Sequence, residues 1–142
     1  MKNLLFSVRK AFWFQILTLV SLTPGLLFYP MLSYGNPSGG VVINGAAEIG
    51  DGLKGHLSIL QSSDKAIINW AEFSIGKGET TQFVQPGSGS SVLNRVVSGS
   101  PSAIHGALKA NGKVFVINPN GILVGPSGRI DVGGLVLSTL DV

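Results

Sequence analysis

The sequence predicts an all-β fold, and the composition and patterning of residues 36–142 support this prediction. Glycine accounts for 18 of these 107 residues, and no stretch keeps the i, i+3, i+4, i+7 apolar spacing of an amphipathic helix. Short runs rich in β-branched and aromatic residues alternate with turn residues instead. From residue 66 onward their centres fall about every 8 to 12 residues, a spacing that fits a sandwich, a barrel or a solenoid.

Ten runs are predicted as strands. In chain order they cover residues 41–43, 56–60, 66–70, 80–84, 91–97, 102–108, 114–117, 122–124, 129–132 and 135–140. Two details favour a solenoid among the three architectures. The Asn and Gly residues of the turns do not recur at the positions that β-hairpins would require. This is expected where the turns are corners that join the strands of successive coils. In the runs VFVI (114–117) and LVL (135–137), the residues at odd and at even positions are all apolar. Because these two sets point to opposite faces of a strand, the pattern is typical of parallel strands that are covered on both faces.

Residues 1–35 predict a cleaved secretory signal peptide. The start MKNLLFSVRK is positive, and the apolar segment AFWFQILTLVSL follows it. Ser33 and Gly35 place small residues at positions −3 and −1 of a cleavage site before Asn36. The alternative is an uncleaved membrane anchor, because residues 11–34 are long enough to cross the ~30 Å hydrocarbon layer. The helix-breaking prolines within that segment favour removal.

The overall charge of +3 comes from the predicted signal peptide. From residue 36 onward seven Lys or Arg balance seven Asp or Glu, and no basic run is interleaved with aromatic residues. Composition therefore gives no support to nucleic-acid binding. The chain has no cysteine, so an exported form relies on packing and backbone hydrogen bonds rather than on disulfides.

Three patterns that can mark an active site lack the context that their chemistry requires. Residues 50–55 read G-x-G-x-x-G, but no helix is predicted to begin there and meet a pyrophosphate. His56 and His105 stand apart from other metal ligands in the sequence. The carboxylates are scattered rather than gathered in the pairs that glycoside hydrolysis uses. We therefore expect no catalytic residue, no cofactor and no metal site.

Two tetrapeptides that start seven residues apart predict tight turns. The first consists of Asn118, Pro119, Asn120 and Gly121, and the second of Gly125, Pro126, Ser127 and Gly128. In the first, proline presets φ at the second position, and the Asn118 side chain is placed to hydrogen-bond forward to the backbone. No helix follows either turn, so neither is expected to bind a phosphate.

These turn residues also carry a resemblance to a known family. Residues 91–142 are similar to the N-terminal haemagglutination-activity region of filamentous-haemagglutinin-type exoproteins, which is the secretion domain of two-partner systems. Upstream, INWAEFSIGKGETTQFVQP (68–86) resembles the middle of the same region. The most specific matches are INPNGI (117–122) and GPSGRIDVGGLVLSTLD (125–141), and the resemblance covers about residues 40–142.

The resemblance implies that residues 36–142 form a right-handed parallel β-helix. It further implies a secretion-targeting module of an adhesin- or haemagglutinin-like exoprotein from a Gram-negative-type bacterium. Such a module is exported through the inner membrane, is recognised by an outer-membrane β-barrel transporter with periplasmic domains, and nucleates folding of the β-helix. The rest of such an exoprotein, called its passenger, would contact a host or neighbouring cell surface. Neither nucleic acid nor a small-molecule substrate is expected as a partner.

The family's NPNG secretion motif maps by position onto Asn118, Pro119, Asn120, Gly121 and Ile122. A second family motif, an Asn-Pro-Asn-Leu segment nearer the N-terminus, is absent, and Asn94-Arg95-Val96 stands in that region. Family members also continue well past the position of Val142. The β-helix is therefore expected to be truncated at its C-terminal end and to leave four apolar residues partly exposed: Leu135, Val136, Leu137 and Leu140.

Two functions of other classes remain as alternatives. One is a carbohydrate-active parallel β-helix enzyme, whose acidic side chains would gather in a groove. The other is a membrane-anchored surface interaction domain, which would keep its N-terminal apolar segment.

Overall fold

A computed structural model of the chain describes residues 35–141. They form twelve β-strands and one 3-10 turn, Leu53–Gly55. The strands are β1 Val41–Asn44, β2 Ala47–Ile49, β3 His56–Gln61, β4 Lys65–Trp70, β5 Thr80–Val84, β6 Ser91–Val96, β7 Ser102–Ile104, β8 Ala107–Ala110, β9 Lys113–Ile117, β10 Ile122–Val124, β11 Arg129–Asp131 and β12 Gly134–Ser138. The apolar segment 11–34, predicted as part of a signal peptide or as an anchor, lies outside the described residues. Within residues 35–141 no helix is long and apolar enough to cross a membrane.

The chain winds into a β-solenoid of about four coils. Sheet I has the strand order β1-β4-β6-β9-β12, sheet II the order β2-β3-β5-β8-β11, and sheet III consists of β7 and β10. Every strand pair formed by β3 to β12 among themselves is parallel. The expected all-β solenoid of parallel strands is therefore confirmed.

The last coil is the shortest in both sheet I and sheet II. Lys65 on β4 pairs with Ser91, 26 positions further along, whereas Lys113 on β9 pairs with Gly134, 21 positions further along. The additional residues of the early coils lie in the loops 85–90 and 97–101, which connect β5 to β6 and β6 to β7. The second of these loops contacts the candidate site described below.

The hydrophobic core lies between the sheets, because alternate side chains of each strand point inward. On β4 these are Ala66, Ile68 and Trp70, all of them buried. Parallel pairing places equivalent inward positions of neighbouring coils next to each other, so each coil adds one layer to the core. The buried apolar side chains of the cluster are Leu57, Ile59, Ala66, Ile68, Trp70, Phe73, Ile75, Phe83, Val92, Val96, Ile104, Leu108, Val114 and Val116.

The N-terminal end differs from the expectation of a purely parallel helix. β1 pairs antiparallel with β4, and β2 pairs antiparallel with β3. The chain just before β1 passes so close to the core that a Cβ on Gly40 would lie 2.5 Å from Cζ3 of Trp70. These strands thus cover a sheet edge and a core end that would otherwise be exposed.

Two of the predicted runs behave differently in the structure. The run 102–108 is not one strand, because the chain turns at Gly106, where a Cβ would lie 2.3 Å from the carbonyl oxygen of Gly76.

The prediction that both faces of LVL (135–137) are covered is wrong. Leu135 and Val136 are 38% and 45% exposed, because β12 pairs on one side only, with β9, among the described strands. Leu137 packs against the core.

Candidate functional site: the asparagine corner

The tetrapeptide from Asn118 to Gly121 joins β9 to β10 by a tight turn. The backbone N–H of Gly121 donates to the carbonyl oxygen of Asn118 over 3.1 Å. The backbone N–H of Asn120 donates to Oδ1 of Asn118 over 3.0 Å. The first bond closes the turn, and the second is the forward side-chain bond of an Asx turn. Gly121 has a φ of 114°, a left-handed backbone conformation that favours glycine.

Asn118 is fully buried, with 0% of its surface exposed. Its Nδ2 donates to the carbonyl oxygen of Ser100 over 2.9 Å and to Oγ of Ser102 over 2.9 Å. Its backbone N–H donates to the carbonyl oxygen of Ser138 over 2.9 Å. The two serines belong to the preceding coil, and Ser138 belongs to the following one. Asn118 therefore joins three successive coils, and both of its side-chain donors are satisfied.

Asn120 extends this network toward the first coil. Its Nδ2 donates to the carbonyl oxygen of Ser98 over 2.8 Å and to Oδ1 of Asn118 over 3.2 Å. The hydroxyl of Ser98 in turn donates to the carbonyl oxygen of Ala71. We use the name asparagine corner for the group Ser98, Ser100, Ser102, Asn118 and Asn120. This corner holds the loop 97–101 against the turn of the next coil.

The second predicted turn lies at the other end of β10. The backbone N–H of Gly128 donates to the carbonyl oxygen of Gly125 over 3.0 Å, which closes the turn. The hydroxyl of Ser127 donates to the carbonyl oxygen of His105 over 2.8 Å. A Cβ on Gly125 would lie 2.2 Å from Nδ1 of His105, so a larger residue there would have to displace that ring. Pro126 is exposed. This turn therefore stacks on the corner of the preceding coil.

Ile122, the last residue mapped to the motif, begins β10. It pairs with Ser102 and packs partly buried against the core. The motif thus contains one apolar residue that anchors the strand and one buried amide that anchors the turn. Two other motif residues, Pro119 and Asn120, are exposed.

Asn94, which stands in the region of the missing second motif, is a core residue. It is fully buried, and its Oδ1 accepts a hydrogen bond from Nε1 of Trp70 over 2.8 Å. Its Nδ2 donates to the carbonyl oxygen of Phe115 over 3.2 Å. Sequence reasoning did not identify this pair, although a polar residue at an inward position of an alternating strand is a signal for it.

The literal G-x-G-x-x-G at residues 50–55 does not form a dinucleotide site. The segment passes through the 3-10 turn Leu53–Gly55 directly into β3. A dinucleotide motif requires a helix N-terminus at this point, where backbone N–H groups meet the pyrophosphate.

A polar groove of about 340 Å³ opens beside the second turn. Its lining includes Lys77, Glu79, His105, Ser127 and Arg129. Glu79 is the one carboxylate among the described residues that line it, whereas glycoside hydrolysis uses a pair. Among residues 35–141 no three His, Cys, Asp or Glu side chains lie close enough to hold a metal ion.

The residues on either side of the predicted cleavage site lie at the start of the described chain. Oδ1 of Asn36 accepts a hydrogen bond from the hydroxyl of Thr81, which is fully buried, over 2.9 Å. The backbone N–H of Ser38 donates to the carbonyl oxygen of Glu72 over 2.9 Å. The chain is therefore bound to the solenoid from Asn36 onward.

Replacing Pro119 with alanine is expected to lower the free energy of unfolding by less than about 1 kcal/mol. The proline is exposed, and the hydrogen bonds that close the turn come from its neighbours. Urea unfolding of the purified chain measures this. A loss of several kcal/mol would show that the ring itself holds the corner.

Comparison with known proteins identifies relatives across the described residues. The profile of the TPS secretion domain family matches residues 34–142. The crystal structure of the HMW1 secretion domain from Haemophilus influenzae is similar with a TM-score of 0.71 and 41% sequence identity, over 75% of this chain and 28% of that chain.

Two heme/hemopexin-binding proteins of Haemophilus influenzae are similar in sequence. One is 44% identical over 85 residues, which are 60% of this chain and 9% of that protein. The other, from strain Rd, is 37% identical over 105 residues, which are 74% of this chain and 12% of that protein. The chain therefore spans about a tenth of the length of these curated relatives.

Proposed function

Because the chain belongs to the TPS secretion domain family, we propose that residues 36–142 target a two-partner-secreted exoprotein to its transporter. The partner is an outer-membrane β-barrel transporter with periplasmic domains, in a Gram-negative-type bacterium. The observation that carries this proposal is the family match from residue 34 to residue 142, which includes every described strand. The family is a secretion-domain family rather than an enzyme family.

The solenoid also offers a template for the rest of such an exoprotein. Each sheet continues from coil to coil in parallel register, so a further coil can pair with the free edge of β12 and extend the core. The asparagine corner supports this role, because it fixes three coils relative to one another. The motif residues Asn118 to Ile122 thus act first by holding the template in shape.

We place ligand binding in a passenger rather than in residues 36–142. The resemblance favours an adhesin or haemagglutinin, and two relatives are named for heme/hemopexin binding. The matched segment makes up 9% and 12% of those relatives, which leaves most of their length for the named activity.

The proposed function is tested in cells that produce the exoprotein with and without the transporter. We expect release into the medium only when the transporter is present, and accumulation in the periplasm when it is absent. A periplasmic reporter protein controls for leakage. Equal release from both strains would contradict the proposal.

We further propose that signal peptidase cleaves between Gly35 and Asn36. N-terminal sequencing of the exported protein should therefore begin at Asn36, the residue whose side chain contacts Thr81. Recovery of intact Met1 in an integral-membrane fraction would instead support the membrane-anchored alternative.

A further inference from the structure

Four residues form a hydrogen-bonded ladder at the corner where the chain passes from sheet II to sheet I. They belong to coil 1 (β3 and β4), coil 2 (β5 to β7) and coil 3 (β8 to β10), and coil 4 follows with β11 and β12. The residues are Gln61 at the end of β3, Gln85 just after β5, and Asn111 with Gly112 between β8 and β9. Gln61 and Gln85 are each only 5% exposed. We call this group the glutamine ladder.

Gln85 is the centre of the glutamine ladder. Its Nε2 donates to Oε1 of Gln61 over 3.2 Å and to the carbonyl oxygen of Lys113 over 3.5 Å. Its Oε1 accepts a hydrogen bond from the backbone N–H of Gly112 over 2.9 Å. The side chain of Asn111 bonds both backbone groups of Gln85, each over 2.8 Å. Gln85 of coil 2 is therefore joined to the coil before it and to the coil after it.

The first member of the ladder is also fully paired. Nε2 of Gln61 donates to the carbonyl oxygen of Ser63 over 2.7 Å and to that of Ser91 over 3.1 Å. Its Oε1 accepts the bond from Gln85. Buried amides whose donors and acceptors all have partners favour one arrangement of the chain, because any other arrangement leaves some of these groups unpaired.

Apolar packing alone does not select one register of coils 2 and 3. Val92 on β6 pairs with Val114 on β9, and Val116, two residues further along β9, is also fully buried. A slip by two residues keeps the same side chains inward and places valine on valine again. Coil length does not fix the register either, because it varies. Successive coils of sheet I take 26, 22 and 21 residues, counted between Lys65, Ser91, Lys113 and Gly134.

The glutamine ladder distinguishes the native register from a slipped one. Gln85 lies beside Gly112, where a Cβ would be 2.7 Å from Oε1 of Gln85. A slip by two residues would place Ala110 or Val114 there, and the Cβ of either would displace the amide. The amide would then be buried without its partners, which is unfavourable in apolar surroundings. A buried asparagine fixes the register of coiled coils for the same reason.

We infer that Gln85 is the positioning residue that selects the register of coils 1 to 3. Only the use of this register by further coils rests on the proposed function. The ladder ends at coil 3, because Gly133 stands at the corner of coil 4, where its backbone N–H donates to the carbonyl oxygen of Gly112 over 2.9 Å. The asparagine corner continues the alignment, since Asn118 of coil 3 bonds to Ser138 of coil 4. Two overlapping polar groups thus align all four coils.

The test reads the register with pairs of introduced cysteines, because the chain has no cysteine of its own. Leu93→Cys with Phe115→Cys reports the native register, in which these residues are paired. Leu93→Cys with Lys113→Cys, and Ser91→Cys with Phe115→Cys, report slips by two residues in opposite directions. In the native register the Cα atoms of each slip pair lie about 8 Å apart, which is too far for a disulfide.

Each protein is refolded from urea in reducing buffer, oxidised, digested and analysed by mass spectrometry. With the ladder intact, the slip pairs should give less than about a tenth of the disulfide that the native pair gives. Gln85→Leu should raise the disulfide yield of the slip pairs at least about fivefold. The matched control is Leu108→Ala, which removes buried apolar atoms from β8 and leaves the ladder in place. It should change that yield less than about twofold.

A second variant keeps the test decisive if Gln85→Leu does not fold. Asn111 is exposed, so Asn111→Ala leaves the core intact while it removes both bonds to the backbone of Gln85. It should raise the slip disulfide at least about twofold. A slip disulfide at the wild-type level in either ladder variant would overturn the inference, and so would an equal rise in Leu108→Ala. The cross-linking needs no transporter, so release that does not require the transporter would contradict the proposed function and leave the role of Gln85 in the register standing.

Discussion

Truncating Trp70 to alanine is expected to lower the free energy of unfolding by about 3–5 kcal/mol. The indole is fully buried and makes an edge contact with Phe73, with the ring centroids 5.8 Å apart. It also lies where the chain before β1 crosses the end of the core. Its loss leaves a cavity there and leaves Oδ1 of Asn94 without its donor.

A double-mutant cycle isolates the hydrogen bond between Trp70 and Asn94. Asn94→Leu removes the acceptor and should cost about 1–3 kcal/mol, because the buried indole N–H loses its partner. Trp70→Phe removes the donor. The double variant should lose less than the sum of the two single losses, since neither polar partner is then left alone. Urea unfolding of the four proteins measures the coupling, and strict additivity would contradict the importance of this bond.

Replacing Asn118 with alanine is expected to lower the free energy of unfolding by about 2–3 kcal/mol, the upper part of the range that most single substitutions span. The change removes the partners of the Ser100 carbonyl, the Ser102 hydroxyl and the Asn120 backbone N–H at a buried position. The matched control is Asn120→Ala. Asn120 is exposed, and the turn stays closed without its side chain, so its loss should be under about 1 kcal/mol. Equal effects of the two substitutions in urea unfolding would contradict the account of the asparagine corner.

The burial of Asn118 also has a consequence for secretion. A side chain with 0% exposure does not contact a transporter while the domain is folded. Asn118→Ala should therefore reduce release only as much as a core variant of similar stability, such as Val92→Ala, whose expected cost is also about 2–3 kcal/mol. Much lower release of Asn118→Ala would show that this residue is recognised in an unfolded state.

Local sequence patterns predicted those parts of the fold that depend on near neighbours. The bounds of β5 and β10 match the predicted runs, because alternation and flanking turn residues define them locally. β2 was missed, since three residues carry too little alternation to be identified. The antiparallel direction of β1 and β2 was also missed, because it depends on the strands that they meet.

The candidate site shows the same division between local and distant interactions. The turn at Asn118 was predicted from four adjacent residues. Its burial was not, because the Nδ2 partners Ser100 and Ser102 lie 18 and 16 positions earlier in the chain. Turn residues are usually exposed, and only the stacking of coils brings a serine-rich loop over this one.

The central claim is that this domain directs the secretion of the exoprotein that carries it. The most direct test deletes residues 36–142 from that exoprotein, keeps its signal peptide, and measures the protein in the medium and in the periplasm with the transporter present. We expect at least a tenfold lower extracellular amount and a matching increase in the periplasm. Release of the deletion variant at the wild-type level would contradict the claim.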